Sequence, residues 1–239
     1  MKIFAILNLL LLTACASVPS NEVSNVKQKD PLEGLNRVVF KFNDGIDSLL
    51  LKPAAKAYRA VTPNIVENGI TNFFDNLREV PSLVNAGLQG KAEKSLTHTG
   101  RFLVNSTLGI LGFIDLAQHM GLEKEDSEDF GQTLGTWGVQ PGPYLVIPFL
   151  GPSTLRDGIA IPVDTYTDLI DHVDHNRTQN SLKAGNLIEI RAGLLDSERL
   201  ITGDRYIFIR DAYLQRRNFL IQDGQVSDSF GSSLEEEDF

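Results

Sequence analysis

The sequence is short of cysteine and of long apolar runs. Its 239 residues include one cysteine, Cys15, so no internal disulfide can form and the folded part must be stabilised by its own packing. The apolar run at residues 3–12 is too short to cross a bilayer, which takes about 20 residues. The composition therefore predicts a domain with a core of its own, not a membrane-spanning protein.

Positive charge is also scarce. The chain has 22 Lys and Arg residues against 31 Asp and Glu residues, a formal net charge of −9. Nucleic-acid affinity comes mainly from basic contacts to phosphate, so this balance argues against a nucleic-acid partner. The imbalance is greatest at the C-terminus, where every ionisable side chain after Arg217 is acidic. Residues 224–239 are predicted to form a disordered acidic tail.

Motifs of the common enzyme classes are absent. The sequence has no Gly-x-Ser-x-Gly elbow, no His-Glu-x-x-His motif and no glycine-rich phosphate loop, and its domain has no cysteine nucleophile. We therefore expect no enzymatic activity and no cofactor. A carboxylate pair brought together only by folding would leave an envelope hydrolase as an alternative.

The N-terminus has the anatomy of an export signal, with a basic Lys2, the apolar run and the sequence Leu-Thr-Ala-Cys ending at Cys15. This stretch resembles a bacterial lipobox. The resemblance implies that residues 1–14 are a cleaved signal peptide and that Cys15 carries acyl chains, which would anchor the protein durably. Ala16 in place of aspartate implies sorting to the outer membrane, on its periplasmic side. The alternative is an ordinary secretory signal that leaves a free thiol.

The region between the N-terminal cysteine and the acidic tail fits one domain. Residues 15–30 are mostly polar and small, which predicts a flexible, lipidated leader. No linker divides residues 31–223, so we expect a single domain there.

Apolar residues recur at intervals of three and four over most of that domain, which indicates amphipathic helices. The predicted helices begin at Pro31, at Pro63 behind an N-cap at Thr62, at Lys91, near Thr154 behind a cap at Ser153, near Ser181 and near Asp204. Pro81 is predicted to end the second helix. Four prolines within residues 140–152 exclude a regular helix and predict an extended crossing.

Residues 104–117 are apolar but interrupted by Gly109, Gly112 and Asp115. The segment is too short and too broken to cross a membrane. It is either a buried loop and helix of a soluble core or a segment that lies in the interfacial plane of a bilayer.

Two polar clusters could suggest metal sites. Residues 123–129 are rich in acids but lack the glycine and terminal glutamate of an EF-hand loop, so a solvated loop is favoured over calcium binding. His172 and His175 lie three residues apart beside two aspartates, but a metal site needs more ligands in a closed geometry, so a solvated turn is favoured. We predict no metal.

A series of longer motifs runs through almost the whole domain in a fixed order. They are Asp30-Pro-Leu-Glu-Gly-Leu-Asn-Arg37, Phe42-Asn43, Asn76-Leu-Arg-Glu-Val-Pro81, residues 101–115, residues 130–139, residues 142–148, Thr154-Leu-Arg-Asp157 and residues 206–219. Together they resemble the MlaA (VacJ) lipoproteins of the Gram-negative outer membrane.

The resemblance implies both fold and function. The implied fold class is mainly α, a single-domain ring of amphipathic helices in the membrane interface, with irregular Pro/Gly-rich crossings and little or no β-structure. The implied function is to pass phospholipids that have strayed into the outer leaflet through an amphipathic channel to a periplasmic, MlaC-like lipid carrier. The implied protein partners are that carrier and a trimeric outer-membrane porin.

Polar residues set in apolar stretches are the natural lining of such a channel, because buried polar groups are costly unless they are satisfied. The candidates are Asn43, Arg101, Asn105 and Asp115, with Phe42 near the channel mouth. For each of them, a structural hydrogen bond or packing contact is the alternative role.

The last predicted helix carries the one basic patch that the sequence suggests. Its arginines, Arg205, Arg210, Arg216 and Arg217, are candidates for docking the carrier. A lipid-transport lipoprotein is therefore the leading hypothesis. A tethered adaptor that binds envelope proteins without moving lipid is the alternative.

Overall fold

The structure, a computed structural model, describes residues 30–225. The predicted signal peptide at residues 1–14, Cys15 with the leader up to residue 29, and the tail from residue 226 lie outside the described residues. The predicted boundaries there stay predictions.

Helices dominate the described part of the chain. The α-helices are α1 (Glu33–Ile46), α2 (Lys52–Val61), α3 (Asn64–Leu88), α4 (Ala92–Thr107), α5 (Phe130–Thr136), α6 (Leu155–Thr167), α7 (Asn176–Gly193) and α8 (Arg205–Ile221). A π-helical turn, Asp47–Leu51, joins α1 to α2, and 3-10 turns lie at Gln118–Met120, Leu169–His172 and Ser197–Leu200. The predicted mainly-α fold class is confirmed.

The predicted break at Pro81 is wrong. α3 continues through this proline to Leu88, although a proline removes a backbone donor inside the helix. The residues around Pro81 pack against α4 and α5, and Glu79, Ser82 and Asn85 are buried there. Tertiary packing thus outweighs the local preference, as is usual for helices in proteins.

Two predicted caps are also wrong. Thr62 makes no cap for α3, because the residue in the N-cap position is Pro63, which has no side-chain acceptor. Ser153 lies in a strand, and the cap of α6 is its neighbour Thr154, whose hydroxyl accepts from the backbone N–H of Asp157. The predicted start of the last helix near Asp204 is confirmed, and Asp204 is its N-cap, which accepts from the N–H of Tyr206.

The proline-rich crossing forms a small antiparallel hairpin. Strand β1 (Tyr144–Ile147) pairs with β2 (Gly151–Thr154) in a register that places Tyr144 opposite Thr154. The turn between them holds Phe149 at a φ of 65°, which is uncommon for a residue other than glycine. The segment is extended, as predicted, and within residues 30–225 this hairpin is the whole β-structure.

The elements make a closed circuit of contacts. In order, the neighbours are α1, β1, β2, α8, α5, α3, α7 and α2, and the π-helical turn leads back to α1. Tyr206, at the start of α8, closes the circuit: its hydroxyl donates to the carboxylate of Asp30, and its ring packs edge-on against Phe40 at 5.6 Å between centroids. Such a circuit is what a ring of helices requires.

α1 has two asparagines on its inward face and three apolar residues on the opposite, exposed face. Asn36 is 1% exposed, whereas Val38 is 66% exposed, and Leu35 and Phe42 are exposed on the same side as Val38. With 3.6 residues per turn, Asn36 and Asn43 share one face, and the three apolar residues share the opposite face.

α4 has the same inverted arrangement. His98, Arg101 and Asn105 follow one another at intervals of three and four and are buried, whereas Leu96, 72% exposed, and Leu103 lie on the opposite face. A helix of a water-soluble domain normally buries its apolar stripe. These two helices instead bury polar side chains and offer hydrocarbon to their surroundings.

No helix between residues 30 and 225 has both the length and the hydropathy to span a bilayer.

Candidate functional site

The interior of the described domain is unusually polar. Within residues 30–225, seventeen polar or charged residues are buried, against ten hydrophobic residues, of which five are alanines. Buried polar groups are costly unless they are hydrogen-bonded, so this interior depends on networks of paired side chains. Among the large hydrophobic side chains of residues 30–225, far more are exposed than buried, and a lipid environment would stabilise the exposed ones.

One network joins α3, α4 and the loop that follows α4. Glu79 of α3 accepts from Arg101 at 2.7 Å and lies 2.5 Å from His98. Arg101 also donates to Asp115 at 2.8 Å and to the carbonyl of Leu122 at 2.7 Å. Three sequence-predicted residues, Arg101, Asn105 and Asp115, are thus brought together.

The network keeps Asp115 ionised. Burial opposes its charge, but hydrogen bonds from Arg101 and Asn105 outweigh that effect and hold the pKa of the Asp115 carboxyl below its usual value. Asn105 donates to Asp115 at 3.0 Å and accepts from the backbone N–H of Ala117 at 2.9 Å. These bonds fix the loop after α4 against the helix.

The space beside this network is small. The cavity in contact with Arg101, Asn105 and Asp115 has a volume of about 10 Å³. A water molecule is the largest occupant that such a space admits. The geometry supports the structural role for these three residues, and their assignment to a lipid channel stays a prediction.

Phe42 and Asn43 lie elsewhere, at the hairpin. The amide nitrogen of Asn43 donates to the carbonyl of Ile147 at 3.0 Å, and its oxygen accepts from the N–H of Phe149 at 2.9 Å. The rings of Phe42 and Phe149 pack edge-on with 5.4 Å between centroids, and both are exposed. α1 therefore holds the turn of the hairpin by one polar and one aromatic contact.

Asn36 makes the matching contact two turns earlier. Its amide nitrogen donates to the carbonyl of Tyr144 at 2.9 Å, and its oxygen accepts from the N–H of Val146 at 2.9 Å. Asn36 and Asn43 thus satisfy the outer edge of β1, which would otherwise leave backbone groups unpaired. Asn36 is not among the residues predicted from the sequence, although its spacing of seven residues from Asn43 places both on one helix face.

The loop after α4 exposes an apolar tip. Leu108, Ile110 and Leu111 are exposed, and Ile110 and Leu111 have positive φ angles of 55° and 56°. At Gly112, with a φ of 91°, a Cβ atom would come within 2.4 Å of Asn76, so the position requires glycine. Of the two interpretations of residues 104–117, this exposed apolar tip favours the interfacial segment over a buried segment of a soluble core.

A cluster of charges joins α5, α6 and α8. Arg217 donates to Asp129 at 2.5 Å and to Asp157 at 2.9 Å, and Tyr213 donates to Asp157 at 2.7 Å. Burial opposes the charge on Asp129 and on Asp157, but Arg217 holds both pKa values below the usual range. Gly131 lies directly against this cluster, because an added Cβ would meet Arg217 and Asp157 at 2.6 Å.

Asp164 is the exception among these acids. Its carboxylate accepts from the backbone N–H of Phe130 at 2.7 Å, but no cation within residues 30–225 forms an ion pair with it. Burial, together with the negative charges of Asp129 and Asp157, raises the pKa of Asp164 to about 6. The group therefore titrates close to physiological pH.

The four arginines predicted for carrier docking do not share one open basic patch. Arg205 contacts Asp44 and Glu198, Arg210 contacts Asp211, and Arg216 contacts Asp126. Arg217 is largely buried in the cluster described above. Arg216 is the most exposed of the four. Their role in docking stays a prediction.

The acidic loop and the two histidines show no metal site. Glu128 is buried and bonded to Lys91 and Gln89, and Asp129 caps α5. His175 is exposed and caps α7. Within residues 30–225, no group of three or more His, Cys, Asp or Glu side chains is arranged to hold a metal ion.

Known proteins are similar to this chain in sequence and in fold. A family model described as MlaA lipoprotein matches residues 28–220. The chain is 37% identical to the intermembrane phospholipid transport system lipoprotein MlaA of Escherichia coli (strain K12), over 90% of this chain and 86% of that protein. It is 32% identical to the protein of the same name in Haemophilus influenzae, over 94% of this chain and 92% of that protein.

A solved structure agrees with the sequence matches. It comes from work on the structural basis for maintenance of bacterial outer membrane lipid asymmetry, is 39% identical, and superposes with a TM-score of 0.72 over 81% of this chain and 100% of its own. The polar interior, the apolar exterior and the hairpin held by α1 thus occur in a chain that belongs to the MlaA lipoprotein family.

Proposed function

We propose that this protein is an outer-membrane lipoprotein that removes mislocalised phospholipids from the outer leaflet and passes them to a periplasmic carrier, which maintains lipid asymmetry. The observation that carries the proposal is the inverted polarity of α1 and α4, which bury Asn36, Arg101 and Asn105 and expose leucine and valine. A domain with this surface is stabilised in lipid. The names of its relatives describe phospholipid transport.

The path for lipid would require no covalent chemistry. A phospholipid has a charged head and apolar tails, so it needs polar groups along an otherwise apolar wall. Phe42 and Asn43, which lie at the exposed turn of the hairpin, are our candidates for the channel mouth. Arg101, Asn105 and Asp115 are candidates further along the wall.

Two protein partners complete the proposal. The exposed tip of Leu108, Ile110 and Leu111 is an apolar surface suited to contact with a trimeric porin or with acyl chains. α8 is our candidate for the carrier-docking element, with Arg216 its most accessible cation. Truncation after Leu200 should abolish carrier binding; docking that survives the truncation would place the carrier on another face.

Deletion of the gene tests the function. We expect the deletion to raise outer-leaflet phospholipid and detergent sensitivity, and the wild-type gene to reverse both. Complementation by Asn43→Ala should fail, whereas Asn218→Ala, a change of the same type at an exposed site of α8, should succeed. Unchanged lipid asymmetry in the deletion strain would contradict the proposal.

A transfer assay separates transport from tethering. Vesicles that contain the porin and this protein should release phospholipid to a soluble acceptor, and vesicles with the porin alone should not. An adaptor that only binds envelope proteins would bind the vesicles and release no lipid.

A further inference from the structure

A basic cleft lies between α2 and the 3-10 turn Ser197–Leu200. Its volume is about 570 Å³. Its charged lining consists of Lys52, Lys56, Arg59, Arg199, Asp196 and Glu198. Four cations line one cleft of a chain whose net charge is −9, so the local sign is opposite to that of the whole molecule.

Glu198 is fully engaged by cations and contributes no free negative charge to the cleft. It accepts from Lys52 at 2.9 Å, from Arg191 at 2.8 Å and from Arg205 at 3.1 Å. Although burial opposes its ionisation, these three cations hold the pKa of Glu198 below the usual value.

Asp196 is then the only carboxylate left for the other three cations. It pairs with Arg59 at 2.9 Å and lies 3.9 Å from Arg199, whose side chain is 84% exposed. Lys56 forms no ion pair with any residue from 30 to 225. The cleft therefore holds an excess of two positive charges that an anion could neutralise.

Apolar residues lie beside the cations on one wall of the cleft. Leu195 lines the cleft itself, and Leu200, which follows Arg199 directly, is strongly exposed. Basic side chains beside apolar ones suit the boundary between headgroups and acyl chains, where the apolar groups enter the hydrocarbon and the cations reach the phosphates.

We propose that this cleft binds the phosphate of an anionic phospholipid headgroup, with Lys56, Arg59 and Arg199 as its ligands. A bilayer is favoured over a soluble anion because Leu195 and the exposed Leu200 would have no role in binding a free phosphate. The site does not depend on lipid transport, since a protein that only sits in the membrane would use it in the same way.

The test compares two variants that lose the same charge. Lys56→Gln with Arg199→Gln removes one lysine and one arginine from the cleft. Lys41→Gln with Arg177→Gln removes the same pair from exposed positions that make no ion pair within the described residues. The full mature chain is equilibrated with micelles containing equal amounts of phosphatidylglycerol and phosphatidylcholine, and the retained lipids are counted by native mass spectrometry.

We expect the wild type and the Lys41/Arg177 variant to prefer phosphatidylglycerol and the Lys56/Arg199 variant to lose this preference by about 30-fold, as two basic contacts to an anionic surface imply. An equal loss of the phosphatidylglycerol preference in both variants would show a general effect of charge and would contradict the proposed binding site. Arg199→Lys should retain the preference, and equal melting temperatures in detergent would show that the variants are folded.

A competition arm identifies the source of the phosphate. Inorganic phosphate at matched ionic strength should not displace phosphatidylglycerol. Displacement would assign the cleft to a free anion and overturn the proposal. Transport activity is measured separately, so loss of the lipid preference with normal transfer would leave the proposed function intact.

Discussion

Arg101 neutralises two carboxylates that the interior could not otherwise hold. It is 2% exposed and pairs with Glu79 and Asp115. Arg101→Met keeps the length of the side chain but leaves both acids buried without their cation. Loss of one partner of a buried ion pair costs about 3 to 5 kcal/mol.

We therefore expect Arg101→Met to lower the free energy of unfolding by about 4 kcal/mol and to reduce the amount of folded protein in the membrane. Thermal unfolding in detergent measures the first effect, and immunoblotting of membrane fractions the second. Arg177→Met, at an exposed position, is the control and should be neutral. A stable Arg101→Met protein without lipid transfer would instead favour the channel role.

Asp164 makes stability depend on pH. Its folded-state pKa of about 6 lies above the ordinary aspartate value near 3.9, so the folded state binds the proton more tightly than the unfolded state. Stability therefore falls as pH rises from about 4 to about 6 and stays at the lower level above that range. Asp164→Asn can still accept from the N–H of Phe130.

We expect Asp164→Asn to be more stable than the wild type above pH of about 6, by about 1 kcal/mol because solvent screens this partly buried group. The difference should vanish below pH of about 4. Melting temperatures across this range measure it, with Asp174→Asn, an exposed aspartate, as the control. Melting temperatures that vary identically with pH in Asp164→Asn and the wild type would contradict the raised pKa of Asp164.

At the scale of elements, the hairpin is held by two asparagines of α1. Asn36→Ala would leave the carbonyl of Tyr144 and the N–H of Val146 buried and unpaired, at a cost of about 3 kcal/mol. Asn43→Ala would release the exposed turn at a smaller cost. The two variants should thus loosen different parts of one hairpin.

Hydrogen exchange resolves these two effects. We expect Asn36→Ala to speed exchange at Val146 and Asn43→Ala to speed it at Phe149, whereas Asn218→Ala should change neither amide. Unaltered exchange at both amides would mean that the hairpin is fixed by its packing on α6 and α8 instead.

The helices could largely be predicted from sequence, because their apolar residues repeat with the helical period. The helical period does not show whether the apolar face of a helix points into a protein core or toward lipid. Leu96 and Leu103 mark one side of α4 equally well whether that side packs into a core or faces lipid. The boundary at Pro81 failed for a related reason: the local rule for proline was outweighed by packing of α3 on α4 and α5.

The candidate site was predicted in part. Residues such as Arg101, Asn105 and Asp115 stood out as polar groups in apolar stretches, and the structure brings them together. Their partner Glu79 and the edge-capping Asn36 were missed, because their bonds join residues that are far apart along the chain. The basic cleft was missed for the same reason, since α2 and residues 196–199 meet only in the fold.

At the scale of the whole molecule, the surface of the domain should hold it in the membrane without its lipid anchor. A Cys15→Ala chain should be missorted, yet its folded domain should still partition into detergent or bilayers. Adding Leu96→Glu and Leu103→Glu to this chain places two charges on the outward face of α4 and should release it into the aqueous phase.

Flotation with vesicles measures this partition. Gln140→Glu with Gln118→Glu adds the same two charges at exposed polar positions and should leave flotation of the Cys15→Ala chain unchanged. A Cys15→Ala domain that is monomeric and freely soluble in water would make Cys15 the sole anchor.

The bond between Asp30 and Tyr206 also sets the order in which the protein can fold. These residues are 176 positions apart, and the contacts of Asn36 and Asn43 with the hairpin span more than 100 positions. Contacts between residues so far apart along the chain form slowly, because closing the long loop between them costs conformational entropy before the contact can stabilise the fold. The first helix therefore completes its contacts only when nearly the whole chain is available, and until then its inward face, with Asn36 and Asn43, lacks the hairpin groups that its amides bind.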